Sequence, residues 1–198
     1  MTLGTSIHLG NDTLENWIQE SQAHSIYDFG VGEGIIGHMC RSLLPDARIC
    51  GCDTWRGAVD FHSKNSPYDR VIQGDLVSVS RSSLDALDST LWIFGDVLEH
   101  IQRLDAMSVL RFGLNKGKDI LISVPIGPYE QGPLYGNPLE SHVWAAYPGD
   151  FEFVGFRCEC VVYSMITGNV VSESFENKDE YNTPRGHLAK IRITHKST

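Results

Sequence analysis

The run Ile26-Tyr27-Asp28-Phe29-Gly30-Val31-Gly32-Glu33-Gly34-Ile35-Ile36-Gly37 constrains this chain more than any other stretch, because it joins an apolar strand to a glycine turn and then to an apolar helix start. Glycines at alternate positions let the backbone approach a ligand closely and take dihedrals that a Cβ forbids, and the following helix offers unpaired N–H groups. Strand, glycine turn and helix in that order predict a nucleotide-like cofactor held at the turn.

Two cofactor classes use such turns. Gly32-x-Gly34-x-x-Gly37 matches the dinucleotide fingerprint, whereas Asp28-x-Gly30-x-Gly32-x-Gly34 matches the acidic-Gly-x-Gly-x-Gly turn of S-adenosylmethionine (SAM) enzymes. Asp53 ends the second predicted strand, about 20 residues beyond the turn, where an acidic side chain accepts hydrogen bonds from ribose hydroxyls. Both classes want it. Thr54 and Trp55 extend the same pocket, Trp55 with a ring for an adenine face or for packing against the protein itself. Gly74-Asp75-Leu76 offers a carboxylate to the exocyclic amine of adenine and a backbone N–H to a ring nitrogen, although Asp at a strand-to-helix junction equally serves as an N-cap.

Alternation of strands and helices places the turn in a doubly wound sheet. The expected strands are residues 25–29, 48–53, 70–73, 91–94 and 120–124, the last two being unbroken apolar runs suited to a parallel sheet covered on both faces. Ile35, Ile36, Met39, Cys40, Leu43 and Leu44 recur with helical spacing until Pro45, and Ile101, Leu104, Met107, Leu110 and Leu114 do so between the fourth and fifth strands. Residues 1–23 are expected to form a helical cover on one side of the cofactor, with a helix over 14–22 capped near Asp12 or Thr13. Residues 125–147 are crowded with Pro and Gly around Tyr129 and Tyr135, so they read as a loop at the carboxyl end of a central strand, where ligands bind in open α/β sheets. Two strand-like tail segments, 156–165 and 187–194, close the chain.

At 198 residues with 41% hydrophobic residues, the chain suits one domain with a substantial core. Its formal charge of −9 comes without any Lys or Arg run, which disfavours a phosphate-tracking surface and so a nucleic-acid partner. No apolar run approaches the roughly 20 residues that span a bilayer, and five cysteines fit a reducing compartment, so the expectation is a cytoplasmic protein without a membrane partner. Cys50-x-Cys52 and Cys158-x-Cys160 together offer four thiolates, but on the second and sixth strands they would stand about 24 Å apart at about 4.8 Å per strand, so they are read as small buried side chains.

The fourth strand runs into Asp96-Val97-Leu98-Glu99-His100. Here the sequence resembles the class I SAM-dependent methyltransferases, many of which carry Asp-Val-Leu-Glu-His at this point, and the resemblance extends over residues 24–124. It implies one domain over 1–198 with a Rossmann-like seven-stranded sheet of order 3-2-1-4-5-7-6, strand 7 antiparallel. It also implies that Asp28, Gly30, Gly32 and Gly34 surround the methionine end of SAM, Asp53 the ribose, Asp75 and Leu76 the adenine, while Asp96 lies near the sulfonium. S-adenosylhomocysteine (SAH) would be the product.

SAM carries its own electrophile, so the chain must align a nucleophile and exclude water. His100, after the fourth strand, and His142, after the proline-rich loop, are the candidate bases for a hydroxyl acceptor, and each also has a structural reading. Glu99 either orients one of them or is a helix charge. Asn-Pro-Pro-Tyr, Asp-Pro-Pro-Tyr and a Pro-Cys pair are all missing, which disfavours nucleic-acid bases. Pro125-Ile126-Gly127 stands where catechol-type enzymes have Asp-Asn, so a metal-independent reaction is expected. The acceptor is then a hydroxyl or amine on a small molecule, a sugar or specialised metabolite, bound by Tyr129, Tyr135 and Trp144. Two alternatives remain at this point: a non-catalytic SAM-binding or regulatory domain, and an NAD(P)-dependent oxidoreductase using the Gly32, Gly34, Gly37 pattern.

Overall fold

The computed structural model describes residues 8–63, 66–133, 137–184 and 186–196. Strands β1 (Ser25–Phe29), β2 (Arg48–Asp53), β3 (Arg70–Gln73), β4 (Leu91–Gly95) and β5 (Asp119–Ile126) are parallel, and β6 (Phe156–Ser164), β7 (Val170–Ser172) and β8 (His187–His195) complete one sheet of order β3-β2-β1-β4-β5-β8-β6-β7. β8 lies antiparallel between β5 and β6. The expected closing pair is therefore present in the expected order. An eighth strand, β7, is added at the edge beside β6, where Val170 and Ser172 pair with Tyr163 and Val162. Its three residues are too few for an alternation signal in the sequence.

Successive side chains of a strand point to opposite faces, and here each face carries its own core. Tyr27, Phe29, Trp92, Phe94, Ile120 and Ile122 pack on one face, beneath α4 (Leu76–Ser82), α5 (Leu84–Asp88) and α6 (Arg103–Asn115). Ile26, Ile49, Leu91, Ile93 and Leu121 pack on the other, beneath α1 (Asn11–Ser21), α2 (Ile35–Leu43) and α3 (Arg56–Phe61). In α6 the buried stripe is Ala106, Val109, Leu110, Gly113 and Leu114; Leu104, expected on it, is 80% exposed. At Gly113 the stripe admits only glycine because Trp92 fills the space: a Cβ there would stand 2.7 Å from its ring.

α1 differs from expectation in start and in position. It begins at Asn11, so Asp12 and Thr13 lie in its first turn and do not cap it, and the Thr13 hydroxyl meets the Tyr163 hydroxyl. The buried face of α1, Leu14, Trp17 and Ile18, packs in the core with α2, and Arg192 of β8 bridges to Glu20 at 2.6 Å. No described residue of segment 8–23 lines the cavity at the carboxyl ends of the parallel strands, where the cofactor is expected.

The described residues of segment 125–147 are mostly without regular structure after Ile126, but specific contacts tie them to the sheet. β5 continues through Pro125 to Ile126, which proline tolerates because β4 has already ended opposite Ser123 and its edge no longer demands an N–H. The chain then folds back over the 3-10 turn Leu98–His100: Val143 N–H donates to the Glu99 carbonyl at 2.9 Å, and the Trp144 indole N–H to the Leu98 carbonyl at 3.0 Å. Cys50 and Cys52 sit on β2, Cys158 and Cys160 on β6, with β1, β4, β5 and β8 between them.

Candidate active site

A cavity of about 300 Å³ opens at the carboxyl ends of the parallel strands, where the sheet order reverses between β1 and β4. Its floor is the glycine turn. Gly30 and Val31 N–H groups donate to the Cys52 carbonyl at 2.9 and 3.1 Å, so the turn stays attached to β2 after β1 ends. Gly30 and Gly34 have φ of +82° and +85°, and a Cβ on them would stand 2.7 Å from Val97 and 2.5 Å from the His62 ring. Only glycine fits both the dihedrals and the space. Gly37 plays another part: it is buried on α2 against Tyr68, whose ring carbon would be 2.4 Å from a Cβ.

Asp53 lies in the cavity wall and accepts from the N–H groups of Gly32 at 3.1 Å and Trp55 at 2.8 Å. Burial pushes its carboxyl up, and these two N–H groups oppose that shift. Thr54, Trp55 and Leu76 line the same end, Trp55 also packing against the core beneath α3. His62, which no sequence signal marks, supports the turn from below by donating from Nε2 to the Gly32 carbonyl at 3.0 Å.

Asp28 and Asp75 are not in the wall. The Asp28 carboxylate is buried under the turn, where the Tyr68 hydroxyl donates to it at 2.5 Å, and burial raises its pKa to about 7. It shapes the turn from behind. Asp75 is exposed at the start of α4 and accepts the Ser78 N–H at 2.9 Å, which holds its carboxyl below the usual range. It is the helix cap that its position also allowed.

Asp96 follows β4 with φ of +50°, a sparsely occupied conformation for any residue with a Cβ, which places its side chain at the centre of the cavity wall. Its orientation comes from β5 and β8: Ser123 Oγ donates to Asp96 at 2.6 Å, and Lys190 Nζ donates to Ser123 at 2.8 Å. Lys190 is 1% exposed, and burial lowers its pKa to about 8.

The far wall is built by the Leu98–His100 turn and the folded-back loop. Each histidine there faces a backbone carbonyl through Nδ1, His100 to Ser141 at 3.3 Å and His142 to Tyr129 at 2.7 Å. A carbonyl only accepts, so in the neutral rings Nδ1 carries the proton and Nε2 the lone pair. The two rings meet edge to face with centroids 4.9 Å apart, and His142 Nε2 is 3.9 Å from a Glu99 oxygen. Glu99 is buried, and burial, with Asp96 and Glu140 nearby, raises its carboxyl far above the usual range. Tyr129 lines the cavity beside His142; Trp144 does not, because it anchors the loop against Leu98 and Phe151. Tyr135 lies outside the described residues.

The fold is that of the class I SAM-dependent methyltransferases. Among solved structures the chain is similar to a SAM-dependent methyltransferase from Archaeoglobus fulgidus, with a TM-score of 0.58 and 14% identity over 93% of this chain and 95% of that one. It is similar to the plantazolicin methyltransferase BpumL in complex with SAH, with a TM-score of 0.60 and 14% identity over 95% and 83% of the two chains. Human N-acetylserotonin methyltransferase with SAM gives 0.54 and 16% identity, this chain spanning 92% of itself and 52% of that protein. The sequence matches no protein-family model and no curated protein. Among the described residues, no helix is long and apolar enough to cross a membrane.

Proposed function

We propose that this chain binds SAM and transfers its methyl group to a hydroxyl or amine of a small molecule. The charge of the cavity wall carries the reading: Glu33, Asp53, Asp96 and Glu140 line it, and no Lys or Arg does among the described residues. Such a wall attracts a cationic ligand and repels the pyrophosphate of NAD or NADP. The third glycine of the dinucleotide pattern, Gly37, is accounted for by Tyr68.

When bound, SAM supplies a methyl on positively charged sulfur. The glycine turn fits this group because Gly30 and Gly32, both at positive φ, present bare backbone to the cavity, with Asp53 beside them for ribose hydroxyls and Asp96 held in the wall by Ser123 and Lys190. The loop tied to Glu99 and Leu98 keeps water from the acceptor end. A hydroxyl must lose its proton as the new bond forms, and His100 and His142 stand in that wall. Two similar structures are named for discrete acceptors, N-acetylserotonin and plantazolicin, and the net charge of −9 also favours a small acceptor over nucleic acid.

Thermal shift with SAM, SAH, NAD and NADP tests the cofactor, since a ligand of the folded state raises the melting temperature. Stabilisation by NAD or NADP alone overturns the reading. Transfer of labelled methyl groups from SAM to a panel of hydroxylated and amino metabolites then separates an enzyme from a SAM-binding regulatory domain.

A further inference from the structure

We propose that Glu99, His100 and His142 hold a divalent transition-metal cation that positions and acidifies a hydroxyl of the acceptor. The proposal rests on the methyltransferase reading for its chemistry, but the site itself stands on geometry. One ligand atom from each of the three side chains lies within 4.8 Å of the other two, around a common point on the cavity wall. Closing them to the usual distance of about 2.1 Å from a metal needs shifts of about 1 Å or less.

Glu99 supplies the independent observation. It is 2% exposed and its Oε2 has no hydrogen-bond partner, although the Leu98–His100 turn directs it at the same wall as the two imidazoles. A buried, unpartnered carboxyl is costly: it either keeps a proton, as the raised Glu99 carboxyl does, or pairs with a cation that takes the proton's place. The imidazoles are prepared in the way that metal ligands are: each donates Nδ1–H to a carbonyl, which fixes the ring and leaves the lone pair on Nε2. The acidic wall without Lys or Arg among the described residues adds attraction for a second cationic group beside the sulfonium. Two nitrogens and one carboxylate favour Zn²⁺, Mn²⁺, Fe²⁺ or Co²⁺ over Mg²⁺ or Ca²⁺, which prefer all-oxygen sites.

Three protein ligands leave coordination positions open toward the cavity, and an oxygen acceptor suits them better than a protonated amine. In the step this supports, the metal-bound hydroxyl releases its proton to water at the cavity mouth. The oxygen forms its bond to the methyl carbon as the carbon–sulfur bond breaks, and that electron pair stays on sulfur, leaving a neutral thioether. The metal keeps its oxidation state. Its role is to lower the pKa of the bound hydroxyl, as metals do for bound water. With the metal bound, His100 and His142 serve as its ligands and the proton leaves through the metal-bound hydroxyl; without it, they remain the candidate bases of the expected metal-independent reaction.

The test is calorimetric titration of the chelator-treated, dialysed 198-residue chain with Co²⁺, Mn²⁺ and Zn²⁺, together with the visible absorption of the Co²⁺ form. One ion per chain is expected, with cobalt bands typical of nitrogen and oxygen ligands, and with affinity falling at least about 100-fold in Glu99→Gln and in His142→Ala. SAH titration of the same metal-free samples reports cofactor binding and folding of each variant. SAH binding without saturable metal binding, or metal binding unchanged in both variants, overturns the metal site alone. Metal binding without SAH binding overturns the methyltransferase reading alone. If His142→Ala does not fold, Glu99→Gln and His100→Gln decide by the same criterion.

Discussion

The N–H of Gly32 donates to Asp53 Oδ2 at 3.1 Å across 21 residues, so the glycine turn after β1 and the acidic end of β2 form one unit. The other oxygen of the same carboxylate holds Trp55 N–H at 2.8 Å. Replacing Asp53 with Ala removes both backbone acceptors and the proposed ribose contact. SAH affinity measured by calorimetry is expected to fall at least about tenfold, equivalent to about 1.4 kcal/mol, within the range for lost charge-assisted hydrogen bonds. An unchanged affinity would refute the ribose assignment.

Asp28 makes stability depend on pH in a definite direction. Its folded pKa of about 7 lies above the ordinary 3.8, so between those values the folded chain keeps a proton that the unfolded chain has lost. Stability therefore falls as pH rises through that window and levels off above 7, by a few kcal/mol at most (about 1.4 per pKa unit). Asp28→Asn keeps an acceptor for the Tyr68 hydroxyl and carries no charge. Denaturant unfolding at pH 5 and pH 8 should show the variant gaining on the wild type at the higher pH; parallel behaviour would sink the assignment.

Lys190 gives the opposite slope at alkaline pH. Its folded pKa, lowered by burial to about 8, lies below the ordinary 10.5, so the unfolded chain binds more protons between those values and stability rises with pH across them. Lys190→Met removes this dependence and frees Ser123 from its donor. Comparing the two proteins by denaturation at pH 7.5 and pH 10, the wild type should gain up to about 3 kcal/mol relative to the variant. No change in the difference between them would show that the ammonium is solvated.

Gly37 tests the packing explanation of the third glycine. A Cβ there meets the buried Tyr68 ring at 2.4 Å and pushes it from Asp28, a clash that outweighs the gain of about 1 kcal/mol in helix propensity from Gly to Ala. Gly37→Val is expected to cost about 3 kcal/mol. Gly132→Ala, where a Cβ meets nothing within 4 Å, is the matched control and should stay within about 0.5 kcal/mol. Equal melting temperatures for the two variants would remove the packing account.

Local pattern reached the central strands and the glycine turn because their signals are contained within a few residues: unbroken apolar runs at 91–94 and 120–124, alternate glycines at 30–34, a proline after α2. Asp53 and Asp96, at the ends of β2 and β4, line the cavity, as residues at the carboxyl ends of parallel strands do. Local pattern did not reveal that Asp28, Asp75 and Trp144 stand outside the cavity wall, since a carboxylate behind a turn, one capping a helix and one facing a ligand are spelled alike, as are an indole in a pocket wall and one pinning a loop. The burial of Glu99 had no local sign at all, because it is made by residues more than forty positions later folding back over it.

The sequence by itself determined the five parallel strands, the helices over 35–44 and 101–114, and the place of the turn, all consequences of periodicity and of glycine and proline stereochemistry acting over one or two elements. Tertiary structure alone decided which titratable groups share a cavity and in what state. Tyr68 was brought under Asp28, Lys190 behind Asp96, and His142 to within 3.9 Å of Glu99. The physical reason is desolvation: a side chain's charge and reach depend on the surfaces that close around it, and those surfaces come from distant parts of the chain.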